Sequence, residues 1–388
     1  MSFHTAWRKA KVQILRCLRL LRIVREVSVA DMRFGIQFHP LPTAPETAAH
    51  AKRALSQYPF EKVWVPDHLT HEHALITLAA IIAQTQAHVG TSVTNPFCRT
   101  PVDLASGFAA LSHLAERGIT VGIGAGSSTS DMIRKRGRVT MLREMILFLK
   151  EMFAGREVTL GDFPRLTDFF RLAPAAQGFL RLPPLKPPEI FVAAAGPQTL
   201  KIAGELGDGL ILSNLSFPTA LIRQGALADA MTKLYAARAS HEGHRFTKVL
   251  HLHISVSRDS NAARQYCRRM ATNGLIQGHL LRQRLLQLPV PAETLAAIQN
   301  AHRQGKNVEE MDALISDQVI DESGIVIAGT PAECIKQLDD MLRAAKPCRF
   351  DIVDIASPLG PNWDEAIDLI CQEIIPELER RSDAYLER

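Results

Sequence analysis

The strongest constraint on the fold is a series of short apolar runs that alternate with longer stretches of helical periodicity. Eight such runs stand at 33–38, 62–65, 88–93, 119–123, 189–194, 209–212, 249–256 and 349–355. Polar and apolar residues scarcely alternate within a run, which is typical of strands buried on both faces of a parallel sheet. Eight strand–helix units favour a closed (β/α)8 TIM barrel over an open doubly wound sheet.

Helix start signals follow several of these runs. The stretch 43–57 has the spacing of one apolar face, and threonine stands directly before proline at Thr100-Pro101 and at Thr330-Pro331. Threonine is a good N-cap, and proline suits the first helical position because the N–H that it lacks would have no helical partner there. The pattern therefore predicts helices between the strands, as in repeated β/α units.

The domain organisation follows from the alternation of strand and helix patterns and from the two segments that interrupt it. We predict one barrel domain over 32–388, with a proline-rich insert near 155–188 and a mostly helical insert near 272–323. Residues 1–31 are basic and carry apolar residues at helical spacing. They suit a membrane-surface or targeting helix, or an extension outside the barrel. We favour the extension because the first strand pattern begins at Met32.

Composition narrows the class of partner. The formal charge is only +5, and basic residues form no stripe with aromatic ones, so nucleic acid is not an expected partner. No apolar run reaches the roughly 18 residues that a membrane span needs. The six cysteines form no CxxC pair, and no His, Cys, Asp or Glu cluster has metal-ligand spacing, so no metal is expected. Thiols without a disulfide pattern favour a cytoplasmic protein.

Active sites of such barrels lie at the carboxyl ends of the strands, so the residues there are the candidates for chemistry. Backbone N–H groups near Gly124–Ser127 or Gly196 could hold a phosphate. Asp67, Asn95 and Gln37 could hydrogen-bond the polar edges of a planar ring. His68 could exchange protons because histidine titrates near neutral pH. Each residue also has an ordinary explanation as a cap or turn residue, but together they would line one small-molecule pocket.

A resemblance to a known family rests on seven segments. They occur in the order MRFGIQFHP, WVPDHL, GTSVTNPFCRTP, GIGAGS, FVAAAGPQTLKIAGELGDGLIL, AGTPAECIKQL and IASPLGPN. Together they resemble the luciferase-like oxidoreductases, and within these the branch that uses the deazaflavin coenzyme F420, with the methylenetetrahydromethanopterin reductases most similar. The resemblance implies a barrel of the bacterial luciferase-like type with inserts at its mouth, a small-molecule substrate, and a homodimer or higher homo-oligomer.

The same resemblance implies roles for individual residues. In the family, a non-proline cis peptide in a bulge of the third strand lies against the deazaflavin ring, and Ser92 and Val93 match it here. Asp67 and His68 match a pair that faces the ring. The predicted catalytic residues are His68, Asp67 and Gln37. The predicted cofactor-binding residues are Asp67, His68, Ser92, Val93, Asn95, Gly126, Ser127, Ala195, Gly196 and Asn214.

Two departures from the family concern the substrate. The methanopterin reductases carry an acidic residue where Gln37 stands, and an amide has no proton to deliver. The F420-dependent glucose-6-phosphate dehydrogenases carry a glutamate where Ser127 stands. We therefore expect F420-dependent hydride transfer to a small organic substrate with a C=N or C=C bond, of the methylene-pterin type or another. An FMN-dependent luciferase-like monooxygenase and a non-catalytic flavin-binding protein are the alternatives.

Overall fold

The computed structural model describes residues 32–39, 42–126, 139–239, 245–276 and 282–385. Its main feature is a parallel sheet of eight strands closed into a ring. Around the ring lie β1 (Arg33–Gln37), β2 (Val63–Val65), β3 (Val89–Thr91), β4 (Ile119–Ile123), β7 (Glu189–Ala193), β8 (Gly209–Ser213), β9 (Thr247–Val256) and β11 (Ile352–Leu359). The ring closes because β11 pairs with both β9 and β1.

Three short strands lie outside the ring. The strands β5 (Val158–Thr159) and β6 (Gln177–Gly178) form an antiparallel pair. The strand β10 (Ile327–Gly329) pairs with the second half of β9, beyond the residues of β9 that pair with β8.

Helices pack against the outer side of the ring through a large apolar layer. The α-helices of the described residues are, in chain order, α1 (Ala44–Gln57), α2 (Ala74–Thr85), α3 (Pro101–Leu114), α4 (Val139–Phe153), α5 (Pro164–Phe170), α6 (Pro197–Leu206), α7 (Thr219–Arg223), α8 (Ala226–Arg238), α9 (Ser260–Ile276), α10 (Arg282–Leu285), α11 (Ala292–Arg303), α12 (Val308–Asp312), α13 (Asp317–Ser323), α14 (Pro331–Ala345), α15 (Trp363–Leu369) and α16 (Ile375–Arg380). The side chains of Thr100 and Thr330 cap α3 and α14 by accepting backbone N–H bonds, as the start signals predict.

The predicted (β/α)8 barrel is confirmed. All eight predicted strands are present, and the run 119–123 matches β4 residue for residue. The run 349–355 starts too early, because Arg349 has a positive φ of 50° in the turn before β11. The sequence pattern missed β5, β6 and β10, which are only two or three residues long and therefore too short to show a period.

The interior of the ring is filled by an apolar plug. Trp64, Phe191, Ile211, Val249 and Ile352 form one buried cluster that draws on five strands. Burial of a large apolar side chain stabilises a fold by about 1.5–3 kcal/mol. The plug therefore forms a buried apolar layer directly beneath the residues at the carboxyl ends of the strands.

The two inserts build different structures. The insert near 155–188 contains β5, α5 and β6, whereas the insert near 272–323 contains the four helices α10–α13. Of these, α10, α11 and α13 share a satellite apolar cluster with α9. Residues 1–31, for which an extension was predicted, lie outside the described residues. Within the described ranges, no helix has the length and apolar character to cross a membrane.

Candidate functional site

Gln37 ties together three strand ends at the carboxyl end of the barrel. Its Nε2 donates to Ser92 Oγ at 3.0 Å and to Ser92 O at 3.2 Å, and its Oε1 accepts from Ser357 N at 3.2 Å. Only 2% of Gln37 is exposed. An amide suits this place because it donates and accepts at the same time. The side chain therefore fixes β1, β11 and the chain after β3 relative to one another.

The peptide bond between Ser92 and Val93 is cis, as the family resemblance implies. Val93 and Ala193 are both partly exposed and pack on the interior plug. Gly124 lies between them, and a Cβ at this position would stand 3.1 Å from Val93 Cγ2 and 3.3 Å from Ala193 Cβ. Because Gly124 has no Cβ, no side chain stands between the two apolar neighbours. We call the apolar surface formed by Val93, Gly124 and Ala193 the platform.

A buried ion pair fixes the start of the loop after β2. Arg99 donates from Nη1 to Asp67 Oδ2 at 2.5 Å and from Nη2 to Asp67 Oδ1 at 3.1 Å. Thr94 Oγ1 donates to the same carboxylate at 2.7 Å. The Asp67 and Arg99 side chains are 4% and 13% exposed. The Asp67 carboxylate therefore joins the chain after β2 to the chain after β3.

Three imidazole rings, which we call the histidine cluster, meet next to this pair. The ring centroids of His39 and His68 are 5.0 Å apart, those of His39 and His71 4.7 Å, and those of His68 and His71 4.9 Å. Burial and then the neighbouring His68 and His71 lower the pKa of His39 to about 3. Burial also lowers the pKa of His71. His39 is therefore a neutral imidazole at neutral pH.

The histidine cluster corrects one expectation from the sequence. One nitrogen from each of His39, His68 and His71 lies within 4.8 Å of the other two, so the three rings could hold a metal ion. The expectation that no metal-ligand cluster exists is wrong in this respect. The spacing along the chain hides the cluster, because α1 separates His39 from the loop that carries the other two rings.

Two predicted cofactor contacts have structural partners instead. Asn214 is fully buried, and its amide donates to His253 O at 3.3 Å and accepts from His253 N at 2.9 Å. These two bonds extend the pairing of β8 with β9. The side chain is therefore occupied by the backbone of β9, whereas a contact with a cofactor was predicted. Asn95 is 4% exposed, and its Oδ1 accepts from Phe97 N at 3.1 Å and from Cys98 Sγ at 2.9 Å. Its side chain shapes the turn that leads into α3.

The backbone N–H groups predicted to hold a phosphate have a mixed outcome. Those of Ala195 and Gly196 donate to Thr199 Oγ1 at 3.3 and 3.2 Å, so the hydroxyl replaces the cap that glycine cannot supply. Gly126 has a φ of 65°, a conformation that glycine adopts without strain. The predicted Ser127 lies outside the described residues.

Several residues of the mouth escaped the sequence analysis, namely His71, Thr94, Arg99, Thr199 and Arg284. Arg284 comes from the helical insert, donates to Ala195 O at 2.9 Å and lies over the ring of Phe217 at 3.9 Å. Arg99 carried a signal, since it is the charged residue of the GTSVTNPFCRTP segment. The others are ordinary loop, cap or helix residues whose neighbours depend on the folded chain.

A cavity of about 460 Å³ opens at the opposite, amino-terminal end of the strands. Lys62 Nζ donates there to Glu189 Oε2 at 2.7 Å and to Thr120 Oγ1 at 2.9 Å, and lies 2.8 Å from His88 Nε2. Burial lowers the pKa of Lys62, and burial together with Lys62 lowers the pKa of His88 to about 3. These side chains bond one another, and barrel chemistry occurs at the other end, so we assign them to the stability of the barrel.

Known proteins resemble this chain over most of its length. The model of the family described as luciferase-like monooxygenase matches residues 30–346. The 5,10-methylenetetrahydromethanopterin reductase of Methanolobus tindarius is 27% identical over 351 residues, which cover 89% of this chain and 100% of that protein. The F420-dependent hydroxymycolic acid dehydrogenase of Mycobacterium tuberculosis is 32% identical over 179 residues, which cover 42% of this chain and 47% of that protein.

A solved structure has the same fold. The coenzyme F420 dependent tetrahydromethanopterin reductase from Methanopyrus kandleri superposes with a TM-score of 0.72 at 20% sequence identity, over 90% of this chain and 99% of that chain. The sequence relatives confirm the resemblance predicted from the seven segments, including its F420-dependent branch. The family match over residues 30–346, on a barrel with these strand ends, shows that the chain belongs to the luciferase-like monooxygenase family.

Proposed function

We propose that this protein is an oxidoreductase that binds coenzyme F420 at the mouth of the barrel and exchanges a hydride with a small organic substrate. The platform carries the proposal, because Val93 and Ala193 are partly exposed and Gly124 has no Cβ to raise the surface between them. A planar ring system needs an apolar wall of this kind with a few polar groups at its edge. A relative that is named as F420-dependent supports this choice of cofactor.

The residues around the platform fit such a ring. Val93 and Ala193 would support one face, and the Ser92 hydroxyl would lie at the edge, where Gln37 holds it. Gly196 has no side chain at the start of α6, which leaves room for the phosphate chain of a cofactor near a helix N-terminus. The bound deazaflavin supplies or accepts the hydride, whereas the protein positions the reactants and exchanges protons.

His68 is the residue that we assign to proton exchange. It follows β2 directly after Asp67, whose carboxylate is held by Arg99 and Thr94. Its ring stacks on His39 at an interplanar angle of 20°. The rings of His39 and His71 both pack against this imidazole and limit its orientation, which favours proton transfer to a bound substrate. We assign Asp67 to positioning, because its bonds to Arg99 and Thr94 hold the backbone that continues into His68.

The identity of the substrate depends in part on Gln37. A proton donor at this position would help to open a bridged methylene-pterin, but an amide carries no proton to transfer. All the partners found for Gln37 are groups of the strand ends, Ser92 and Ser357. We therefore assign Gln37 to positioning. As the substrate we propose a compound with a C=N or C=C bond, with a histidine as the group that exchanges the proton during the reaction.

Two features support the remaining proposals on assembly and compartment. The side chains of Phe179, Leu182 and Leu185 in the first insert are 48%, 73% and 100% exposed, which suits a homodimer contact. The described cysteines are thiols, and four of the five are buried, as in a protein of the reducing cytoplasm. Light scattering coupled to gel filtration tests the homodimer.

Calorimetric titration of the purified protein with F420 and with FMN tests the proposed cofactor. We expect F420 to bind more tightly than FMN. The Gly124→Ala variant should bind F420 about 10-fold more weakly, because an added methyl group in a filled contact costs about 1–3 kcal/mol. Gly305→Asn is a matched control, since Gly305 has open space around it and a φ of 65° that asparagine tolerates.

The outcomes separate the candidate functions. Micromolar FMN binding without detectable F420 binding would favour the monooxygenase. Binding of F420 without oxidation of its reduced form by any of a panel of imines and enones would favour a non-catalytic binding protein. Equal F420 binding by Gly124→Ala and Gly305→Asn would show that the platform is not the cofactor surface.

A further inference from the structure

The histidine cluster has the dimensions of a metal-ligand set. Zn²⁺ binds imidazole nitrogen at about 2.0–2.1 Å, so three rings around one tetrahedral ion have centroids roughly 5 Å apart. The three observed separations are 4.7, 4.9 and 5.0 Å. One nitrogen from each of His39, His68 and His71 already lies within 4.8 Å of the other two. Ligating nitrogens of one tetrahedral ion stand about 3.3–3.4 Å apart, so ring rotations that bring the three nitrogens closer would accompany binding.

Two ring nitrogens of the cluster lack a protein partner. The Nδ1 atoms of His39 and His71 are buried and make no hydrogen bond. A buried polar group without a partner costs about 1–3 kcal/mol, so native structures rarely leave two of them side by side. If the two imidazoles rotated, both residues could bind one cation between the rings. The unpaired nitrogens therefore point to a ligand independently of the ring spacing.

The backbone holds the three rings on fixed elements. His39 lies two residues after the end of β1, and its N–H donates to Ser357 Oγ at 2.7 Å. His68 follows β2, and the N–H of His71 donates to His68 O at 3.3 Å in a turn. Two adjacent strand ends and one hydrogen-bonded turn thus supply the rings. A ligand set that is arranged before binding loses little conformational entropy when the ion binds.

We propose that His39, His68 and His71 bind a divalent transition-metal ion of the zinc class. Three imidazoles without a thiolate suit Zn²⁺, Co²⁺ or Ni²⁺ rather than Mg²⁺ or Ca²⁺, which prefer oxygen ligands. A tetrahedral ion with three protein ligands keeps one position for water or a substrate group. All three side chains are partly exposed, so this position can be reached from the mouth.

The metal site goes beyond the proposed function. An imidazole nitrogen that binds a metal ion cannot also carry a proton, so the nitrogen of His68 that binds the ion no longer exchanges protons. When an ion is bound, the water in its fourth coordination position would exchange the proton in place of His68. The metal-free and the metal-loaded protein therefore differ in the group that exchanges the proton, His68 or the metal-bound water. The platform contains none of the three histidines.

Metal titration of the full-length protein after dialysis against a chelator tests the proposal. We expect calorimetry to show one Zn²⁺ per chain with a micromolar or lower Kd, and Co²⁺ to give the intense visible bands of four-coordinate geometry. His39→Ala and His71→Ala should each weaken Zn²⁺ binding at least about 10–100-fold, the scale seen when even supporting residues of metal sites are lost. His302→Ala, on the exposed face of α11, should leave it unchanged.

Absence of a stoichiometric Zn²⁺ site, or equal Zn²⁺ binding by His39→Ala, His71→Ala and the parent, would overturn the proposal. Circular dichroism checks the fold of each variant, and His71→Gln in the loop replaces His39→Ala if that variant fails to fold. F420 titration of the metal-free protein is a separate measurement. F420 binding without Zn²⁺ binding refutes only the metal site, and Zn²⁺ binding without F420 binding refutes only the proposed function.

Discussion

Removal of the Arg99 side chain should destabilise the protein far more than removal of an exposed arginine. The Asp67 carboxylate is 4% exposed and accepts two bonds from Arg99, so Arg99→Ala leaves a buried charge with one hydrogen bond from Thr94. Loss of one partner of a buried ion pair costs about 3–5 kcal/mol. Because Arg99 is 13% exposed and Thr94 remains, we expect about 3 kcal/mol.

The matched control is Arg258→Ala. Arg258 pairs with Glu373 through both carboxylate oxygens, but the two side chains are 64% and 38% exposed. Exposed pairs contribute about 0.2–1 kcal/mol, so this variant should lose less than about 1 kcal/mol. The contrast isolates burial, since both arginines make a two-point contact with a carboxylate.

The assay is equilibrium unfolding in urea, followed by the fluorescence of the three tryptophans, of which Trp64 lies in the interior plug. The double variant Asp67→Asn/Arg99→Ala should be more stable than Arg99→Ala, because the unpaired charge is gone. A loss below about 1 kcal/mol in Arg99→Ala would refute the reasoning. The same holds if the separate losses of Asp67→Asn and Arg99→Ala simply add up in the double variant.

Three further predictions concern the mouth and the N-terminal segment. Expression from Met32 should leave the stability within about 1 kcal/mol of the full chain, because the first strand begins at Arg33; a larger loss in urea would show that residues 1–31 pack on the barrel. His68→Asn should keep the urea midpoint and slow turnover of an accepted substrate by about 10²–10⁴-fold, the usual contribution of a general acid or base. Turnover by this variant at the parental rate would show that His68 is only a loop residue. Gln37→Glu should raise methylene-pterin reduction from a low parental level and should lower the urea midpoint, because a carboxylate cannot donate to Ser92 as the amide does. Efficient reduction by the parent would show that another group supplies the proton and would refute the low parental level that we expect.

The sequence by itself determined the barrel and the position of its mouth. Strand and helix patterns depend on neighbours a few residues apart, so eight strands and the caps at Thr100 and Thr330 can be read locally. The quoted segments also indicated the family and the cis peptide at Ser92–Val93.

Only the tertiary structure decided which side chains meet. The bond of Arg99 to Asp67, the pairing of Asn214 with the backbone of His253 and the meeting of His39 with His71 all join different strand ends. Such contacts depend on the closure of the ring and on the path of the loops, which no local period encodes. A residue type at a strand end therefore indicates that a side chain is near the mouth, whereas its partner and its freedom to bind a ligand depend on the neighbouring strands.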